Sequence, residues 1–460
     1  MKALRDPANV LTQGLASIRT EFQVPSAFPD AVLAEADEAA KRPPVQHADR
    51  TARRFVTLDP ASSTDLDQAF AIERSGADLL LHYAIADVAW FVDDDGAIDG
   101  EAWRRGTTLY LPDGKAGLYP PVLSEGAASL LPAGPRPAVI FTVRVARDGS
   151  ARLDGVERAV IRSSAKLAYE NVRDEDLPEG FTELSERIEA AELRRGAVRV
   201  NPPAQEFADL GDGRFELRFR PPLLSEARNA SLSLATNLAV ADLLQARGTG
   251  LFRVMAEPDR RAVERLRHTA RALGVPWPGG VQLTELERRL DAADAKQAAL
   301  MLAIRRAGPG ASYQPFRPDA LPWHAAVAAT YAHATAPLRR LADRYVVMAA
   351  LAVANGRPVP EAVANAFEKL PAVMARAETL AGRIERAAID LAEAVMLLGR
   401  EGEIFPAIVT DVDRRGVRIQ LEDLPVVTRI AASNVSPGDA LRLRLLAADP
   451  DRRMLTFDRL

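Results

Sequence analysis

Between Phe55 and about Val160, apolar and polar positions alternate in short runs: RFVTLD, QAFAIE, DLLLHYAIADVAWFV, TTLYLP, AVIFTVRVA and ARLDGVERAVI. This period of two, broken by turn residues such as those at 147–150, predicts an antiparallel sheet joined by hairpins. After about Ser225 the period lengthens to that of a helix and holds over 229–246, 259–273, 284–306, 338–355 and 361–400. The last 60 residues return to strands: IFPAIVTDV, GVRIQLED, PVVTRIA, DALRLRLLAAD and RMLTF. Five strands of that length fit a small barrel. Ahead of the sheet, two short stretches at 9–19 and 30–41, separated by QVPSAFP, predict helices that pack on a larger body. The expected layout is a helical extension over 1–46, an α+β body over 47–400 and a C-terminal β module over 401–460.

At 460 residues the chain exceeds a usual single core, and 48% hydrophobic residues argue against disorder. With no cysteine, disulfides, thiolate nucleophiles and cysteine metal sites are excluded, leaving oxygen ligands and five histidines for any metal. The start, MKALRDPANVLTQG, lacks the apolar run of a signal peptide, and no stretch reaches the roughly 20 apolar residues of a membrane span. A cytoplasmic, soluble protein with no membrane partner is expected. The net charge of −4 does not announce a nucleic-acid binder, so any such partner needs a local basic groove. Cations are mostly arginines, whose planar fork suits phosphate but also serves as an ordinary surface charge.

The densest chemical signal is TLDPASSTDLDQAF, with Asp59, Asp65 and Asp67 inside nine residues. In a strand, residues two apart share a face at roughly 6.6–7 Å, so Asp65 and Asp67 can converge. Asp59 joins them only if the chain doubles back, and Pro60, Ser62, Ser63 and Thr64 are residues that make such a loop. Clustered carboxylates repel unless protons or cations intervene, and hard oxygen ligands favour magnesium or manganese. A solvated acidic turn is the alternative, weakened by the apolar strands on either side.

This stretch resembles the signature segment of the RNB nuclease family, the ribonuclease II and ribonuclease R exoribonucleases. The resemblance continues in order through LHYAIADVAWFV, RRGTTLYLPD, PPVLSEGAASLLP, IRSSAKLAYENV, LFRVMAEP and YAHATAPLRRLADRYV, and covers roughly residues 50–400. It implies an RNB fold, a mixed and largely antiparallel sheet surrounded by helices, followed by a five-stranded OB-type RNA-binding barrel. The family's pair of N-terminal cold-shock barrels has no counterpart in residues 1–46, which are too short for them.

By resemblance, Asp59, Asp65 and Asp67 match three of four family aspartates and would hold Mg2+ or Mn2+; the fourth position is Gln68. A glutamine carbonyl brings no charge and should hold a second ion less tightly. A family glutamate falls on 229–231, where no acid stands. Pro337 is expected near a helix start with Arg339 and Arg340 in the first turn, a credible phosphate clamp. The resemblance makes Arg339 the arginine at the phosphate beside the cleaved bond and Arg340 its neighbour. Glu385 maps to a catalytic-site glutamate, off an apolar helix face formed by Leu380, Ile384, Ala387, Leu391 and Val395. Tyr169 maps to the tyrosine that stacks near the last nucleotide and sets the final fragment size. His333 is carried as an RNA-contact candidate, with a packing role favoured over metal ligation. Asp87 either supports the acidic cluster or caps a turn.

The implied activity is hydrolysis of single-stranded RNA from its 3′ end to 5′-mononucleotides, by a monomer with no obligate protein partner. The competing expectation is an RNB-fold RNA-binding protein with a weakened active site. A metal-dependent phosphatase acting on small molecules fits the acids but not the C-terminal barrel.

Overall fold

A computed structural model describes residues 4–5, 9–197, 204–211, 214–220, 223–291, 294–308, 310–413 and 416–460. Its centre is a seven-stranded sheet in the order Ser163–Ala168, Phe55–Asp59, Gln68–Ser75, Asp78–Ala86, Arg136–Val145, Ala151–Ile161, Ala48–Asp49. The hairpins read from the alternation are present as antiparallel pairs, Gln68–Ser75 with Asp78–Ala86 and Arg136–Val145 with Ala151–Ile161, and Asp78–Ala86 also pairs antiparallel with Arg136–Val145 across a long connection. Both edge pairings, of Ser163–Ala168 with Phe55–Asp59 and of Ala48–Asp49 with Ala151–Ile161, are parallel. These two close contacts between segments far apart in sequence, which no hairpin signal announces. The sheet is therefore mixed and largely antiparallel, in an α+β fold.

At residues 147–150 the turn depends on Gly149. Its φ is +73°, and a Cβ there would stand 1.8 Å from the carbonyl oxygen of Arg187. Only glycine meets both demands without backbone movement.

Helices Leu224–Ala246 and Leu341–Ala354 pack into the same apolar cluster as the sheet, which also takes Val32, Ala36 and Ala39 of helix Asp30–Ala39. The region 284–306, read as one helix, is two: Leu283–Glu287 and Ala295–Ala307. Asp294 interrupts the run by accepting the backbone N–H groups of Lys296 and Gln297 at 3.0 and 2.9 Å, an N-cap that starts a new helix. A further antiparallel pair, Ala204–Gly211 with Arg214–Arg220, lies outside the strands expected from the alternation.

The long helix Glu361–Leu397 joins three apolar clusters. Its first turns, through Met374, enter the main core. Ile384, Ala387, Ala388, Leu391 and Val395 face Leu11, Leu15 and Ile18 of helix Val10–Glu21. Ala394 and Leu397 enter the core of the C-terminal module. That module is a nearly closed five-stranded antiparallel barrel in the order Val427–Ile430, Gly416–Leu421, Ile404–Asp413, Ala440–Asp449, Met454–Arg459. Along Gly416–Leu421, inward Val417, Ile419 and Leu421 alternate with outward polar residues, as a small barrel requires.

Candidate active site

Asp59 ends the strand Phe55–Asp59, and the chain then doubles back. Ser63 N–H bonds the carbonyl of Pro60 at 3.0 Å. The hydroxyl of Ser129 fixes the return: it donates to the carbonyl of Thr64 at 2.7 Å and accepts the N–H of Leu66 at 2.9 Å. This brings Asp67 into the electrostatic neighbourhood of Asp59. Burial, and then the charge of Asp67, push the Asp59 carboxyl up to about 7, with Arg339 opposing. Asp67 is also held at about 7, by burial, against the charge of Arg339 and the N–H of Leu338.

Asp65 and Asp67 do not share a strand face. The strand begins at Gln68, the residues before it are irregular, and the two carboxylates turn to different cations. Asp67 accepts the N–H of Leu338 at 2.7 Å and Nε of Arg339 at 3.3 Å. Asp65 pairs with Nζ of Lys115 at 2.9 Å and accepts the hydroxyl of Tyr110 at 3.4 Å. Among the described residues no group of three or more His, Asp or Glu side chains is gathered closely enough to hold an ion. Asp59 and Asp67 nonetheless suit a hard divalent ion, because Mg2+ commonly uses one or two carboxylates and completes its shell with water and substrate phosphate.

Gln68 is committed to packing. Its Nε2 donates to the carbonyl of Thr335 at 2.6 Å and its Oε1 accepts the hydroxyl of Tyr83. Asn229, in the 229–231 segment where the family resemblance implies an acid, donates to the phenol oxygen of Tyr169. Tyr169 N–H in turn bonds the carbonyl of Asp59 at 3.2 Å, which places the ring beside the acids.

The arginines precede the helix rather than sitting in its first turn. Pro337 opens a turn in which the N–H of Arg340 reaches the carbonyl of Ala336 at 2.9 Å, and the helix begins at Leu341. The carbonyl of Arg339 accepts the hydroxyl of Thr107 at 2.8 Å and the N–H of Thr108 at 3.0 Å. That pins the backbone and leaves the guanidinium beside Asp67, with its side chain 46% exposed. Arg340 is bound by two hydrogen bonds, 3.0 and 2.7 Å, to the buried Asp343. His333 lies edge-on to Tyr313 and Tyr331, with Nδ1 2.8 Å from the Tyr313 hydroxyl. Burial and the charges of Arg340 and Arg253 hold it well below its usual range, so it is neutral. The Asp87 carboxylate goes to Nε2 of His47 at 3.0 Å and to Arg158 at 2.8 Å, away from the acidic cluster.

Glu385 is exposed and lines a cleft of about 360 Å³ with Tyr110, Gln205 and Arg220. Asp59, Asp65 and Asp67 do not line it; Tyr110 is the link, since its hydroxyl also touches Asp65. The structure thus gathers Asp59, Asp67, Arg339 and Tyr169, sets Asp65 beside them on Lys115, and leaves Glu385 across Tyr110. Lys115 and Tyr110 were not singled out from sequence. They lie opposite each other in the hairpin Leu109–Leu111 with Gly114–Ala116, and the alternation in TTLYLPDGKAG would have put both on one face.

The family model for the RNB domain matches residues 48–354, and that for the RNase II-type exonuclease C-terminal S1 domain matches residues 403–460. The chain belongs to the RNB family. It is 25% identical to Ribonuclease R of Thermotoga maritima over 96% of this chain and 69% of that one. It is 30% identical to Exoribonuclease 2 of Yersinia enterocolitica over 84% of this chain and 63% of that protein. The fold superposes on Mycoplasma genitalium RNase R in complex with ribose methylated single-stranded RNA with a TM-score of 0.88, at 19% identity, over 98% of this chain and 78% of that one. The chain therefore spans about two thirds of the length of these curated relatives.

Proposed function

We propose that the chain is a divalent-metal-dependent exoribonuclease that takes single-stranded RNA by its 3′ end and releases 5′-mononucleotides, as a cytoplasmic monomer. The observation that carries this reading is the buried carboxylate of Asp67, with the half-buried Asp59 in its electrostatic reach, set against Arg339, whose backbone is pinned by Thr107 and Thr108. Mg2+ or Mn2+ would be held by Asp59 and Asp67, with Asp65 available only by exchange with Lys115. When bound, such an ion supplies Lewis-acid activation of water and of the scissile phosphate.

The chain's own groups do the rest. Arg339, exposed and pre-organised, neutralises charge that develops on the phosphate oxygens. Tyr169 offers a ring on which the terminal base can stack, a contact that tolerates any sequence and contributes about 1–3 kcal/mol. The C-terminal barrel and the surrounding arginines hold the upstream strand. Among the described residues no helix is long and apolar enough to cross a membrane.

Incubating a 5′-labelled oligoribonucleotide with the full chain and Mg2+ or Mn2+ tests this. A descending ladder ending in a fragment of a few nucleotides is the expected result. Intact RNA with a mobility shift would instead support an RNA-binding protein of the same fold, a reading favoured by the commitment of Gln68 to Tyr83 and Thr335.

A further inference from the structure

We infer that Lys115 serves as a resident cation at the acidic cluster, holding Asp65 so that the chain offers one divalent-ion position, on Asp59 and Asp67, rather than two. The inference rests on the metal-dependent reading above for the existence of that one position.

The ammonium of Lys115 lies between two carboxylates, 2.9 Å from Asp65 and 3.1 Å from Glu125. Its side chain is 23% exposed and that of Asp65 12%, so water screens this pair only in part. The hydroxyl of Tyr110 engages the other oxygen of Asp65. Tyr110 and Lys115 face each other across one short hairpin, so both contacts come from a single element. An ion seeking Asp65 must either expel Lys115, leaving Glu125 without its counter-charge, or sit against an ammonium of like sign. Gln68 brings no negative charge to replace Asp65, and its amide oxygen already accepts the hydroxyl of Tyr83. Asp67, by contrast, accepts two hydrogen bonds and keeps lone pairs free, because an ionised carboxylate has about four acceptor positions. Two carboxylates, with water completing the shell until RNA arrives, suffice for one magnesium-sized ion.

The test is Mn2+ binding to the full chain without RNA, read as free Mn2+ by electron paramagnetic resonance, for the wild type, Lys115→Met, Lys115→Met with Asp65→Asn, and Asp65→Asn. One Mn2+ per wild-type chain is expected. Lys115→Met should take up a second, and adding Asp65→Asn should abolish that gain. Asp65→Asn by itself should keep the wild-type count with affinity changed less than about threefold, which tests the inference even if Lys115→Met does not fold. Two ions in the wild type, one ion in folded Lys115→Met, or a tenfold loss of affinity in Asp65→Asn would each overturn the role of Lys115 while leaving a metal site in place. No Mn2+ on any variant would overturn the metal-dependent reading as well.

Discussion

The side-chain amide of Asn229 donates to the phenol oxygen of Tyr169 at 2.8 Å and to the carbonyl oxygen of Leu58 at 3.2 Å. It thereby ties helix Leu224–Ala246 to the strand that ends in Asp59 and to the ring beside it. Tyr169→Phe should cost about 1 kcal/mol of stability in urea unfolding by losing this bond, and should leave the end fragment unchanged. Tyr169→Ala removes the stacking surface and should change the length of the shortest RNA fragment on a denaturing gel. Identical end fragments from wild type and Tyr169→Ala would take Tyr169 out of the RNA site.

Asp67→Asn preserves shape but removes the charge that faces Arg339. Single-turnover cleavage should fall at least about 100-fold, as should that of Arg339→Ala, with RNA binding retained. Since burial raises both Asp59 and Asp67 to about 7, so that each loses its proton across that range, and an ion binds only the ionised form, Mn2+ affinity should rise between about pH 6 and 8 with release of protons. Mn2+ affinity independent of pH over that range would contradict this.

Replacing Gln68 by Asp should move two measurements in opposite directions. The shorter, acceptor-only side chain leaves the carbonyl of Thr335 without its donor, so stability should drop by about 1–3 kcal/mol. The added charge beside Asp67 should lower the Mg2+ concentration at half-maximal cleavage. An unchanged Mg2+ requirement would mean that position 68 does not reach the ion.

Glu393 supplies a pH test away from the acids. It accepts the N–H of Val427 at 2.8 Å and Nε2 of Gln205 at 2.6 Å, and burial pushes its carboxyl from 4.5 up to about 7. The folded chain favours the protonated form, so this group's stabilisation is complete below about pH 4.5 and is lost as pH rises through about 7. Glu393→Gln cannot ionise. Its melting temperature should therefore gain on the wild type between pH 5 and 8, whereas parallel curves would show that Glu393 does not titrate there.

Much of this arrangement is legible in the sequence where local chemistry decides it. The five strands of the C-terminal barrel follow from alternation, the return of the chain after Asp59 from its turn residues, and the apolar stripe of Leu380, Ile384, Ala387, Leu391 and Val395 from helical spacing. What local pattern cannot supply is the partner across space. Alternation places Tyr110 and Lys115 on one face of a hairpin, but only the fold turns that face toward Asp65. Spacing puts Arg340 next to Arg339, yet Asp343 takes one while the other is left free to face Asp67. The expected shared face of Asp65 and Asp67 fails because the strand starts only at Gln68 and each carboxylate turns to its own cation, Lys115 or Arg339.

The seat of helix Val10–Glu21 on Ile384, Ala388 and Leu391 also has a consequence during synthesis. Those residues leave the ribosome roughly 370 positions after Leu15, which at about 5–20 residues per second is a delay of about 20–70 s. For that interval the apolar side of the segment, Leu11, Leu15 and Ile18, has no permanent berth.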